Sequence, residues 1–219
     1  MMTKAQMVPM PLTAAEKFQE AAFFYNAMLA VRTNVKLFPY YLSAFLAALR
    51  SVTDYIARQS TEHGKLREWW AEVLEKMKTD PLLKFLKSKR DTNIHQEPVQ
   101  IFFWHGPKFP EKYVQRDADG EEYIESNVIE WSSTTDEHGE IRMTMTIGKD
   151  GVEEPVGTNV KWTFEEDDEK GVADYCYDGL AAVDSIIKEF VELRKKLGFN
   201  DEPDPPGTMQ MGSLPAEPA

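Results

Sequence analysis

The apolar period of the chain changes once, near Pro98, and that change restricts the fold more than any other feature. Upstream, apolar residues recur every three or four positions, the spacing of one helix face. Thr13-Ala14-Ala15-Glu16 has the form of a capping box and opens a helix to about Asn34, with Phe18, Ala22, Tyr25, Leu29 and Val31 on its apolar side. Pro39 suits the first turn of a second helix to about Gln59, marked by Leu42, Phe45, Leu46, Leu49, Val52, Tyr55 and Ile56. Gly64 separates this from a third helix, Lys65 to Lys78, which carries Trp69, Trp70, Val73, Leu74 and Met77. Asp80-Pro81 is an N-cap followed by proline at the first helical position, so a fourth helix starts there. It ends near His95, because the residue before Pro98 is pushed out of helical geometry. Four helices with short connections predict an antiparallel bundle over residues 13–98.

Downstream the period is two. Val99 to Trp104 reads as a strand. Tyr113 to Arg116 and Glu122 to Glu125 flank Asp117-Ala118-Asp119-Gly120, and Asn127 to Ser133 and Glu140 to Ile147 flank Asp136-Glu137-His138-Gly139, which gives two hairpins. Val160 to Phe164 is the last strand expected, so residues 99–170 form an antiparallel β region. Within 171–199 a long helix from about Tyr175 to Leu197 ends on Gly198 and packs on the bundle or the sheet. Residues 1–12 and the proline-rich 200–219 are expected to be disordered. The fold class is α+β.

With 42% hydrophobic and 28% charged residues the chain can build an ordinary core. No apolar run reaches the length of a membrane span, and the N-terminus lacks the apolar core of a signal peptide. Cys176 is the lone cysteine, so no intrachain disulfide can form, and a cytoplasmic location is the default. The net charge of −12 argues against nucleic acid as a partner until its distribution is considered. Residues 35–97 hold 11 Lys+Arg against 8 Asp+Glu, net +3, whereas residues 98–219 hold 11 against 27, net −16. The acid lies in the second half; a solvated helix face is the plainer reading of the basic one.

The fourth helix holds the residues that most resemble a chemical site: Arg90, then Asp91, then His95, with Lys84, Lys87 and Lys89 just before. Arginine binds phosphate and histidine moves protons near neutral pH. Cleavage of RNA by its own 2′-hydroxyl needs a proton taken, a proton given and charge stabilised on phosphate, which these two side chains can supply without a metal or other cofactor. Asp91 and His95 are four apart and share a helix face, so Asp91 can orient the imidazole. Arg90 and His95 are about 140° apart around an ideal helix and do not point at one spot. A second match, Arg58 to His63, has Gln59 in place of an acid after the arginine and falls in a connection. The competing reading of Arg90 and His95 is an ion pair and a helix C-terminal cap.

Arg90-Asp91-x3-His95 at the end of a helical bundle resembles the R-x4-6-H motif of HEPN domains, over roughly residues 13–98. That resemblance implies a small helical ribonuclease whose two motifs meet in one cleft of a homodimer, with RNA as substrate. The runner-up that the resemblance implies is an inactive HEPN-like partner or interaction protein of a toxin–antitoxin or defence complex.

Arg50, Ser51 and Asp54 lie in the otherwise apolar second helix and are candidates, with Lys87 and Lys89, for lining the same cleft and contacting RNA; a polar network inside the bundle competes with that. Trp69-Trp70 and Phe102-Phe103-Trp104 suit core packing better than base stacking. His105 and His138 have no second ligand at metal spacing, so no metal site is expected. The acidic run Glu165 to Glu169 reads as a solvated linker, or as a phosphate mimic shielding the basic cleft. Cys176 is expected to be buried.

Overall fold

A computed structural model describes residues 13–95, 99–109, 114–116, 122–124, 128–147 and 152–199. The expected termini at 1–12 and 200–219, the Pro98 stop and the Asp117–Gly120 turn lie outside these residues. Four helices, α1 (Ala14–Ala30), α2 (Leu37–Ser60), α3 (Gly64–Thr79) and α4 (Pro81–His95), precede strands β1 (Ile101–Lys108), β2 (Val114–Arg116), β3 (Glu122–Ile124), β4 (Val128–Thr135), β5 (Ile141–Ile147), β6 (Val152–Phe164) and β7 (Asp167–Gly171); α5 (Val172–Lys196) follows. The chain is α+β.

Helix ends follow from local chemistry. The Glu16 amide donates to Thr13 Oγ1 at 3.1 Å and the Thr13 amide to Glu16 Oε2 at 3.0 Å, closing the capping box that starts α1. At α4 the Leu83 amide donates to Asp80 Oδ1 at 2.9 Å, with Pro81 in the first turn. Gly198 adopts φ +89°, its amide donates to Lys195 O and the Phe199 amide to Arg194 O, so α5 ends in a Schellman turn. Tyr25 packs near Phe45 and Lys17 lies over the Tyr55 ring, so α1 and α2 run in opposite directions.

The sheet runs β1-β6-β5-β4, all antiparallel, with β7 folded onto β6; β2 and β3 pair separately. Strand β6 is far longer than the expected Val160–Phe164, because Pro155 and Gly157 disguise its first half. Pro155 is tolerated there because β1 reaches only to Gly157, so that half of β6 has β5 as its single partner. The acidic run is a turn at Glu165–Glu166 followed by β7, not a linker.

The sheet lies against the helices through aromatic rings. Trp162 stacks on Phe38 with centroids 4.3 Å apart and planes at 3°, and its indole donates to Arg32 O at 2.8 Å. Phe85 meets Phe164 edge-on at 5.1 Å. Helix α5 packs against both halves. Its Cys176 is fully buried, and desolvation pushes the thiol well above its usual range. No helix among the described residues is long and apolar enough to cross a membrane.

Candidate functional site

Helix α4 presents two charged faces with different fates. Lys84, Lys87 and Arg90 recur every three residues and share one side, whereas Lys89 lies about 200° around from Lys87. That other side faces the sheet. Lys89 is 7% exposed, sits over the Phe85 and Phe164 rings, and gives its ammonium to the Glu166 carboxylate. The lysine in turn holds the Glu166 carboxyl below its ordinary range, chiefly through that hydrogen bond. The expectation that Lys89 faces RNA is therefore corrected: it is a buried structural cation, and one residue of the acidic run neutralises it.

The first side opens on a cavity of about 380 Å³ between α2, α3, α4 and α5. Its charged lining residues are Arg50, Lys78, Lys84, Lys87 and Arg90, with no carboxylate among them. The floor is Leu46, Leu49, Leu74, Met77, Leu83, Leu86 and Val183. All five cations come from residues 35–97, the stretch of net charge +3.

The fold thus brings Arg50 and Arg90, forty residues apart, to one depression. Arg50 Nη1 donates to Thr53 Oγ1 at 2.9 Å, and Nη2 pairs with Asp54 at 2.9 Å. Asp54 orients this guanidinium from outside the cavity. Ser51 is not brought in: its hydroxyl donates to Ala47 O of its own helix at 2.9 Å. Arg90 Nη1 pairs with Asp91 Oδ1 at 2.9 Å, and its Nε is buried with no hydrogen-bond partner among the described residues. Asp91 thus engages Arg90, a contact that the shared face with His95 did not suggest. His95 is the last residue of α4, and its side chain lies outside the described residues. Nearby, Asn93 Nδ2 donates to Ser43 Oγ at 2.6 Å and ties the end of α4 to α2.

The remaining candidates resolve into structural roles. His63 of the second match accepts the Lys65 amide at 3.1 Å as the cap of α3, and Arg58 lies over the Tyr55 ring. Trp70 is buried and Trp69 stacks on Phe190. Phe103 packs on Trp162, but Phe102 and Trp104 point outward, 50% and 56% exposed, so only the middle residue of that triplet joins the core. Lys78 was not legible as a site residue, since its contribution depends on α3 being laid beside α4. The Lys84, Lys87, Arg90 spacing was legible on a helical wheel, and so was the opposite placement of Lys89.

Chemically the arrangement can hold an anion. Two guanidiniums, each oriented by a carboxylate beside it, and three ammoniums, of which Lys78 is paired with Glu75 at 2.6 Å, surround a partly apolar hollow, where charge-assisted hydrogen bonds gain strength from reduced solvation. Compared with protein-family models, with curated proteins and with solved structures, the chain matches none.

Proposed function

We propose that the helical half is a HEPN-type, metal-independent RNA endonuclease that works as a homodimer. The observation that carries this reading is the convergence of Arg90, Arg50 and Lys87 on one depression whose lining includes no carboxylate, with Asp54 and Asp91 pairing the two arginines from beside it. A backbone phosphate in that depression is held by Arg90 and Arg50. His95 takes the proton of the adjacent 2′-hydroxyl and returns one to the leaving oxygen. Arg90 stabilises the charge that gathers on phosphorus as the new P–O bond forms and the old one breaks. Because Arg90 and His95 are about 140° apart on one helix, the histidine acting on a given phosphate comes from the second copy. The β half, which carries the acid, recognises a trigger or a partner protein.

A second reading is a non-catalytic HEPN-like subunit of a toxin–antitoxin or defence complex. The Arg90–Asp91 and Arg50–Asp54 pairs favour it, because a guanidinium already held by a carboxylate is less available to phosphate. Incubating purified wild type and His95→Ala with RNA in EDTA separates the two. The nuclease reading expects cleavage by wild type and its loss in the variant; RNA left intact by both supports the second reading.

A further inference from the structure

Phosphate binding leaves the floor of the cavity without a purpose. Leu46, Leu49, Leu74, Met77, Leu83 and Val183 form an aliphatic surface directly beside the cations, and no aromatic ring lines it. A nucleobase would find no face to stack on there. A small inorganic anion would leave the apolar wall unfilled. The volume, about 380 Å³, lies in the range of small-molecule sites, in which apolar walls bind the body of a ligand and a few polar groups fix its orientation.

The charged groups fix the sign of that ligand. All five charged lining residues are basic. Lys78 is paired with Glu75 at 2.6 Å, but Lys84 and Lys87 have no ion-pair partner among the described residues, and the buried Arg90 Nε lacks a hydrogen-bond acceptor there. Arg50 is held by Asp54 and Thr53 through one N–H on each terminal nitrogen, which leaves a second N–H on each for a carboxylate or phosphate that shares the guanidinium with Asp54. We infer that the cavity binds a single-chain amphipathic anion, an alkyl carboxylate or alkyl phosphate, with its chain on the aliphatic floor and its head on Arg50 and Arg90. This holds whether or not the chain cuts RNA.

Calorimetric titration of the full chain with octanoate, decanoate, dodecanoate, decyl phosphate and decyltrimethylammonium, all below their micellar concentrations, tests it. The expected result is one site per chain, with affinity rising roughly fourfold per added methylene, the transfer free energy of a CH2 group. Decyl phosphate binding more tightly than decanoate assigns a phosphate head, and the reverse order a carboxylate. The trimethylammonium does not bind. Arg50→Gln and Arg90→Gln each weaken binding about tenfold or more, the loss of a charge-assisted hydrogen bond. Leu74→Trp, or Met77→Trp should the first variant fail to fold, fills the hollow and abolishes binding without lowering the melting temperature. No heat from dodecanoate at millimolar concentration overturns the inference, as does equal affinity for the trimethylammonium or affinity independent of chain length. Stable dimers that exclude the alkyl anions overturn it as well, and would assign the groove to a second copy.

Discussion

Lys89 shows how one residue's role turns on the direction it faces. Its ammonium is enclosed by two phenyl rings and a single carboxylate, and Glu166 is itself half exposed. Removing only the carboxylate strands a buried charge, whereas removing only the lysine leaves a solvated one. Glu166→Ala is therefore expected to cost about 1–2 kcal/mol, below the cost for a fully buried pair, and Lys89→Met close to nothing; urea denaturation of both variants measures the difference. The pH dependence has a definite sign. The folded Glu166 carboxyl titrates below its ordinary 4.5, so the pair's contribution is complete above that value and disappears as pH falls through the lower folded one. The gap in melting temperature between wild type and Glu166→Ala should be present near neutral pH and should close in acid below about pH 4.5. A gap that widens in acid would contradict the assignment. Gly139 is equally direct. It adopts φ +92°, and a Cβ there would meet Asn34 Oδ1 at 2.8 Å. Asn34 is buried, donating from Nδ2 to His138 O at 3.1 Å and to Glu140 Oε1 at 2.7 Å. Gly139→Ala should cost about 2 kcal/mol in the same assay, from strain and from disturbing that asparagine.

At the scale of elements, α4 is where reading the chain succeeds and where it stops. The proline at its start and the aspartate before it were legible, as was the clustering of positive charge. Which face meets the sheet was not, because apolar and basic residues alternate around the whole helix and only β6 and α5 decide between them. The long β6 was hidden by Pro155 and Gly157, residues that local propensity assigns to turns but that a partly unpaired strand tolerates. Arg194 is a comparable case: a basic residue near the end of α5, it is 1% exposed, paired with Glu62 at 2.6 Å and packed over Phe199, none of which a single-helix pattern can indicate. The approach of α4 to α5 rests on a missing side chain, since a Cβ on Gly179 would collide with Leu86 Cδ1. Gly179→Ala should destabilise the protein, and adding Leu86→Ala should cost less than the sum of the two single changes. A double-mutant cycle is expected to return about 1 kcal/mol of coupling between them; strict additivity would mean that the helices do not press together there.

The whole molecule joins a basic helical half to an acidic sheet through a few defined contacts: Trp162 on Phe38, Asn34 on the β4–β5 turn, and Lys89 on Glu166. These bury residues of both halves in one core. Unfolding followed by helix circular dichroism and by tryptophan fluorescence should accordingly give a single coincident transition, and two separated midpoints would refute that coupling. The division into helical and β halves was legible from the change of period at Pro98, and the cation-rimmed cavity was not, because it needs four helices in place at once. The cavity gives Arg90 a setting suited to phosphate, and the nuclease proposal follows from that setting together with His95. The most direct test is RNA cleavage in EDTA by wild type, Arg90→Ala and His95→Ala, each first checked for unchanged melting temperature. The account predicts cleavage by wild type that falls at least about a hundredfold in either variant, as for loss of a proton-transfer or charge-stabilising group. Intact RNA with wild type, or equal cleavage by all three, would contradict it.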